Sequence, residues 1–127
     1  MKLFSKFKLI FYLLNFILIS FYLLPVSIIN IFFYNDLYFH SQINAEFKVS
    51  ANHIYVFIVF SFVGFLTYVK LNHLIFLSIY LISISVILEL THLLIPYRGF
   101  EFADLFGNII GVIIASIISY FYKKYKN

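Results

Sequence analysis

The segment from Glu89 to Gly111, E-L-T-H-L-L-I-P-Y-R-G-F-E-F-A-D-L-F-G-N-I-I-G, sets acids, a histidine, an arginine and an asparagine between and inside two long apolar runs. A carboxylate can act as a general base, and a guanidinium offers a planar fork to a carboxylate or a phosphate. Ionisable groups near hydrocarbon cost roughly 2.5 to 3.5 kcal/mol each at a helix centre. Glu89, His92, Arg98, Glu101 and Asp104 all fall in this one stretch and so need a reason to be there.

The spacings gather these groups onto helical faces. Ser78, Ser85, Glu89 and His92 follow one another at steps of seven, four and three, which keeps them on one side of a helix. Asp104, Asn108, Gly111, Ala115 and Ser119 share a face of the next, and Gly107-x-x-x-Gly111-x-x-x-Ala115 is a small-residue ladder that admits a neighbouring helix closely. The two stripes are expected to face each other, with Gly111 packed against the helix that bears Glu89. Arg98, the only arginine, lies in the Pro96-Tyr97-Arg98-Gly99 turn and is expected to pair with Asp104 or Glu101. His53 opens an earlier apolar segment with Phe57, Ser61, Gly64 and Tyr68 on one face, and joins the candidate cluster as a further member. Glu89-x-x-His92 has the spacing used in carboxylate-bridged di-metal bundles, but those sites draw on several such helices. A mononuclear set of His92, Glu89, Asp104 and His53 is geometrically open. The expectation is nevertheless of no metal and no cofactor, with His92 a neutral hydrogen-bonding residue. Asn15 and Tyr22 share a face of the first segment and are assigned to packing.

The elements that must position these residues are apolar helices. Hydrophobic residues make up 64% of the 127 and charged residues 11%, against about 25% charged in soluble domains, and mean hydropathy is +1.02. Four apolar segments, roughly 7–33, 52–70, 72–94 and 103–122, each approach the roughly 20 residues that span a bilayer. Lys2, Lys6, Lys8, Lys70, Lys123, Lys124 and Lys126 fall on one side and only Lys48 and Arg98 on the other, so the positive-inside rule puts both termini in the cytoplasm. The expected fold is all-α: an integral membrane bundle of four transmembrane helices in a single domain, 1–127. The first segment reads as a retained signal anchor, and Pro25 predicts a kink or an end to its helix, with 26–33 continuing at the outer interface. Residues 34–51, with Asp36, His40, Glu46 and Lys48, form the one substantial polar loop. The chain has no cysteine, hence no thiolate nucleophile, and no basic stripe for nucleic acid.

Glu89 and a polar residue three places on, then Arg98 in the turn, then Asp104, Asn108 and Gly111 resemble the signature of the VanZ-like membrane proteins. That signature is Glu-x-x-Gln, a turn arginine, then Asp-x-x-x-Asn-x-x-Gly. His53-x-x-x-Phe57 at the outer end of the second segment is similar to the family as well. His92 stands where the family has Gln, and Val49-Ser50 occupy the places of an Asp-Lys pair before the histidine. The resemblance implies a multi-pass protein of bacterial plasma membranes, in a family whose namesake is linked to lowered susceptibility to teicoplanin.

Three functional readings follow. In the first, an outward-facing cluster of Glu89, His92, Arg98, Asp104, Asn108, Gly111 and His53 engages a cell-envelope lipid or a glycopeptide-related ligand. In the second, Glu89 or Asp104 is the general base of a membrane-embedded hydrolase or transferase, although no catalytic residue is assigned. In the third, the chain is a small structural or accessory subunit with a membrane-protein partner. The lipid bilayer is a partner in all three.

Overall fold

The computed structural model describes residues 2–25, 50–68, 71–96 and 98–126, and among these every element is helical. They are α1 (Lys2–Leu23), α2 (Ala51–Thr67), α3 (Leu71–Thr91) and α4 (Phe102–Lys126). The expected continuation of the first helix over 26–33, the polar loop with Asp36, His40, Glu46 and Lys48, and the charge at Lys70 lie outside the described residues.

The ends of each helix follow from local chemistry. α1 stops at Leu23, two residues before Pro25, earlier than the run to residue 33 that hydropathy alone delimits. Proline has no backbone N–H, so the Phe21 carbonyl, four residues back, loses its helical donor. α2 starts after Ser50, whose extended backbone stops the helix without a side-chain cap, and whose N–H donates to the Ala103 carbonyl at 3.2 Å. That bond fastens the start of α2 to the start of α4. α3 runs out through successive i to i−3 bonds, from His92 N–H to Glu89 O at 3.1 Å, Leu93 to Leu90 and Leu94 to Thr91. This tightening brings the chain sharply into the turn before α4. α4 carries Asp104 in its first turn and Lys123, Lys124 and Lys126 in its last, each sign complementing the helix dipole.

The helices alternate in direction. Tyr22 late in α1, His53 early in α2, Glu89 late in α3 and Asp104 early in α4 meet at one end of the bundle, while Lys123 of α4 bonds the Tyr68 carbonyl past the end of α2 at the other. α4 packs most extensively on α2 and next on α3, and α1 lies chiefly on α2. The core joins Phe11, Phe57, Phe60, Leu81, Val112 and Ala115, with Phe11 stacked on Phe60 at 5.3 Å.

The small-residue ladder does not receive α3 as the spacing led one to expect. A Cβ on Gly107 would stand 2.7 Å from the Ser50 carbonyl oxygen, and one on Gly111 would stand 2.6 Å from that of Ile54, so the backbone of α2 occupies the groove. α3 meets α4 through Ser78 and Ser116, whose hydroxyls are 3.0 Å apart. The physical reason is that a small-residue stripe accepts any close backbone, and α2 is the helix pinned to the start of α4.

Two helices, α3 over His73–Thr91 and α4 over Phe102–Lys126, are long and apolar enough to cross a membrane; the apolar stretches Phe7–Leu23 and Ala51–Thr67 are shorter.

Candidate functional site

All four helices and the last turn contribute to one polar cluster. Glu89 and Asn108 are wholly buried and His92 nearly so, while His53 and Asp104 are about a quarter exposed, at 25% and 23% of their side chains. The cluster is therefore sealed on the Glu89 side and open at a His53–Asp104 edge.

On the sealed side a relay runs from Arg98 to Glu89. Arg98 Nη1 lies 2.7 Å from His92 Nε2, and an arginine can only donate, so that nitrogen accepts. The ring proton is then on Nδ1, which donates to Glu89 Oε1 at 3.3 Å. The same oxygen accepts the Glu101 backbone N–H at 3.2 Å, from the amino end of α4, where the helix dipole favours an anion. Glu89 Oε1 is thus doubly satisfied, whereas Oε2 is buried with no hydrogen-bond partner. Leaving a buried polar atom unmatched costs roughly 1 to 3 kcal/mol, and more for a charged group.

The expected ion pair between Arg98 and Asp104 or Glu101 does not form. Arg98 instead turns its fork onto the end of α1, with Nη1 donating to the Tyr22 carbonyl and Nη2 to that of Phe21, each at 3.1 Å. The Phe21 carbonyl is the one that Pro25 leaves without its helical donor. Among the described residues no carboxylate stands within ion-pairing distance of Arg98. Burial draws its pKa below the ordinary arginine value, and its electrostatic interactions with Tyr22, Glu89 and Asp104 oppose that. Glu101 feels the surplus of acid: burial first, then the neighbouring Asp104 and Glu89 charges, push its carboxyl above the usual range.

The open side is organised around His53. Its Nδ1 is 2.9 Å from Asn108 Oδ1 and 2.8 Å from the Tyr22 hydroxyl, which in turn donates to Asn108 Oδ1 at 3.1 Å. An amide oxygen only accepts, so Nδ1 carries a proton, and in the neutral ring Nε2 is the nitrogen with the lone pair. That lone pair faces Asp104 Oδ2, another acceptor, at 3.5 Å. Donor atoms of His53, Asp104 and Glu89 all lie within 4.8 Å of one another.

The structure thus brings together His53, Glu89, His92, Arg98, Asp104 and Asn108. Gly111 sits a turn deeper, as the place where α2 approaches rather than as part of the polar surface. Tyr22 is the residue that sequence reasoning assigned to packing. Its ring does pack, stacked on His92 at 5.1 Å, but its hydroxyl stands at the centre of the hydrogen-bond network. Its place seven residues after Asn15, on the same face, was the available signal. Asn15 itself donates to the Tyr80 hydroxyl, away from the site. Compared with family models, curated proteins and solved structures, the chain matches none.

Proposed function

We propose that this chain is a VanZ-like, four-pass membrane protein of the bacterial plasma membrane, with both termini in the cytoplasm. Its polar cluster, at the outer end of the bundle, engages the headgroup of a cell-envelope lipid or a glycopeptide-related, lipid-linked molecule. The observation that carries this reading is that every helix spends a polar or ionisable side chain on one point of an otherwise apolar bundle: Tyr22, His53, Glu89, Asp104 and Asn108. Such groups are expensive in hydrocarbon and are retained there for function.

The exterior supports a lipid setting. Phe16, Phe76 and Leu94 turn 71%, 74% and 85% of their surface outward, while Ser61, Ser85, Glu89 and Asn108 are buried. Water would penalise that arrangement, and lipid accepts it. The 17 residues of α2 give roughly 25 Å at 1.5 Å per residue, within the spanning range of about 17 to 25 residues. A purely structural subunit would account for Gly107 and Gly111, but it gives no reason for the unmatched Glu89 oxygen.

The test uses the partly exposed His53–Asp104 edge. Cells expressing wild type, Asp104→Asn or His53→Gln are compared for accumulated protein, teicoplanin susceptibility, and envelope lipids retained on purification in native nanodiscs. Wild type is expected to enrich one anionic or lipid-linked species over the bulk membrane, and both variants to lose that enrichment at equal accumulation. Equal lipid profiles in all three would sink the reading.

A further inference from the structure

We propose that His53, Glu89 and Asp104 form a binding site for one divalent transition-metal ion of the zinc kind. The inference goes beyond the envelope-ligand reading and does not depend on it, since it uses only the donor atoms of this chain.

The first argument is the state of His53. Its Nδ1 proton is committed to the Asn108 amide oxygen at 2.9 Å, with the Tyr22 hydroxyl 2.8 Å away, so the neutral ring presents the Nε2 lone pair to the Asp104 carboxylate. In the neutral ring two acceptors face each other, a pairing that a proton or a metal cation between them relieves. Metal-binding histidines are typically fixed in this manner, the far nitrogen donating to a carbonyl that sets tautomer and ring orientation.

Distance is the second argument. His53 Nε2 and Asp104 Oδ2 are 3.5 Å apart, long for a hydrogen bond, yet close to the roughly 3.3 to 3.5 Å between two donors on a tetrahedral zinc with bonds of about 2.0 to 2.2 Å. Glu89 supplies the third donor, within 4.8 Å of the other two. A turn about its own side-chain torsions, moving the oxygen by on the order of 1 Å, completes a three-ligand set.

The third argument is independent of the cluster's composition. Glu89 is wholly buried, its Oε1 is taken by His92 and Glu101, and its Oε2 has no partner. A cation coordinated by that oxygen removes the deficit. His92, by contrast, has both ring nitrogens engaged by Arg98 and Glu89, so it orients a ligand rather than being one. An imidazole with two carboxylates suits zinc, iron, cobalt or manganese better than a soft-metal or all-oxygen site. Three protein ligands leave a position at the partly exposed His53–Asp104 edge for water or an anionic oxygen.

Cobalt(II) is the probe, added to chelator-stripped full-length protein in detergent. Wild type is expected to take up one equivalent, giving visible d–d absorption that zinc(II) bleaches. His53→Gln, Glu89→Gln and Asp104→Asn should each weaken uptake by at least about tenfold. The variant His73→Gln, altering an exposed histidine at the other end of the bundle, should bind as wild type does. Asp104→Asn decides the matter if the buried Glu89→Gln fails to fold, and circular dichroism verifies its helix. X-ray absorption of zinc-loaded wild type gives a reading that needs no variant, namely a single imidazole among oxygen donors. Absence of saturable uptake by folded wild type, uptake that persists in Asp104→Asn, or two or more imidazoles on the ion would each overturn the site. Lipid enrichment can fail while cobalt binds, or the reverse, so the two readings are separable.

Discussion

Arg98 closes a gap that a distant proline opens. Its fork spans the Phe21 and Tyr22 carbonyls, and only a planar group with two parallel donors can hold both while also reaching His92. Arg98→Lys keeps the charge and loses the second arm. It is expected to lower stability by about 1.5 to 3 kcal/mol, the worth of a charge-assisted hydrogen bond, measured by thermal unfolding in micelles. Stability equal to wild type would show that charge alone suffices. Tyr22→Phe keeps the ring on His92 and removes the hydroxyl from Asn108, so a smaller loss, roughly 0.5 to 1.5 kcal/mol, is expected from the same measurement. These are the residues whose partners were least legible beforehand. The sequence shows that Arg98 lies near three acids, and proximity along the chain favoured an ion pair. Nothing in it marks a backbone carbonyl as a partner except Pro25, 73 residues away. Glu89, His92, Asp104 and Asn108 were legible because helical periodicity places them, and periodicity is a local property.

At the scale of the helix, the glycines rank themselves by what stands over them. Gly107 and Gly111 face backbone oxygens of α2 at 2.7 and 2.6 Å from a would-be Cβ, and a backbone cannot swing aside. Gly64 faces the ring edge of Phe11 at 2.8 Å, a side chain that can rotate, and Gly99 has nothing within 4 Å. Alanine at 107 or 111 is therefore expected to cost about 1 to 3 kcal/mol by forcing α2 and α4 apart. Gly64→Ala should cost less, and Gly99→Ala should stay within about 0.5 kcal/mol. Denaturation of the four variants side by side checks the order, and a Gly111→Ala protein as stable as Gly99→Ala would contradict the α2–α4 contact. The ladder itself was plain in the sequence. Which helix fills it was not, because a small-residue stripe specifies closeness and leaves the neighbour to be chosen by the rest of the bundle, here by the Ser50 to Ala103 bond.

Taken whole, the molecule alternates helix direction, so the cluster and the terminal lysines lie at opposite ends, and the orientation of the bundle decides which compartment the open His53–Asp104 edge meets. The lysine and arginine asymmetry argues for the cluster outside and the lysines in the cytoplasm. The chain has no cysteine, so each introduced thiol reports from one place only. Gly99→Cys, exposed and with nothing among the described residues within 4 Å of an added Cβ, and Ala51→Cys, exposed at the start of α2, should react with an impermeant reagent on intact cells. His73→Cys and Tyr125→Cys, both exposed at the other end, should react only after the membrane is permeabilised. Each neighbouring pair in this series brackets one helix: 51 and 73 bracket α2, 73 and 99 bracket α3, and 99 and 125 bracket α4. Two members of a pair labelled from the same side would mean that the helix between them does not cross. A complete reversal of all four would keep the bundle and place the cluster in the cytoplasm, where an envelope headgroup in the outer leaflet could not reach it.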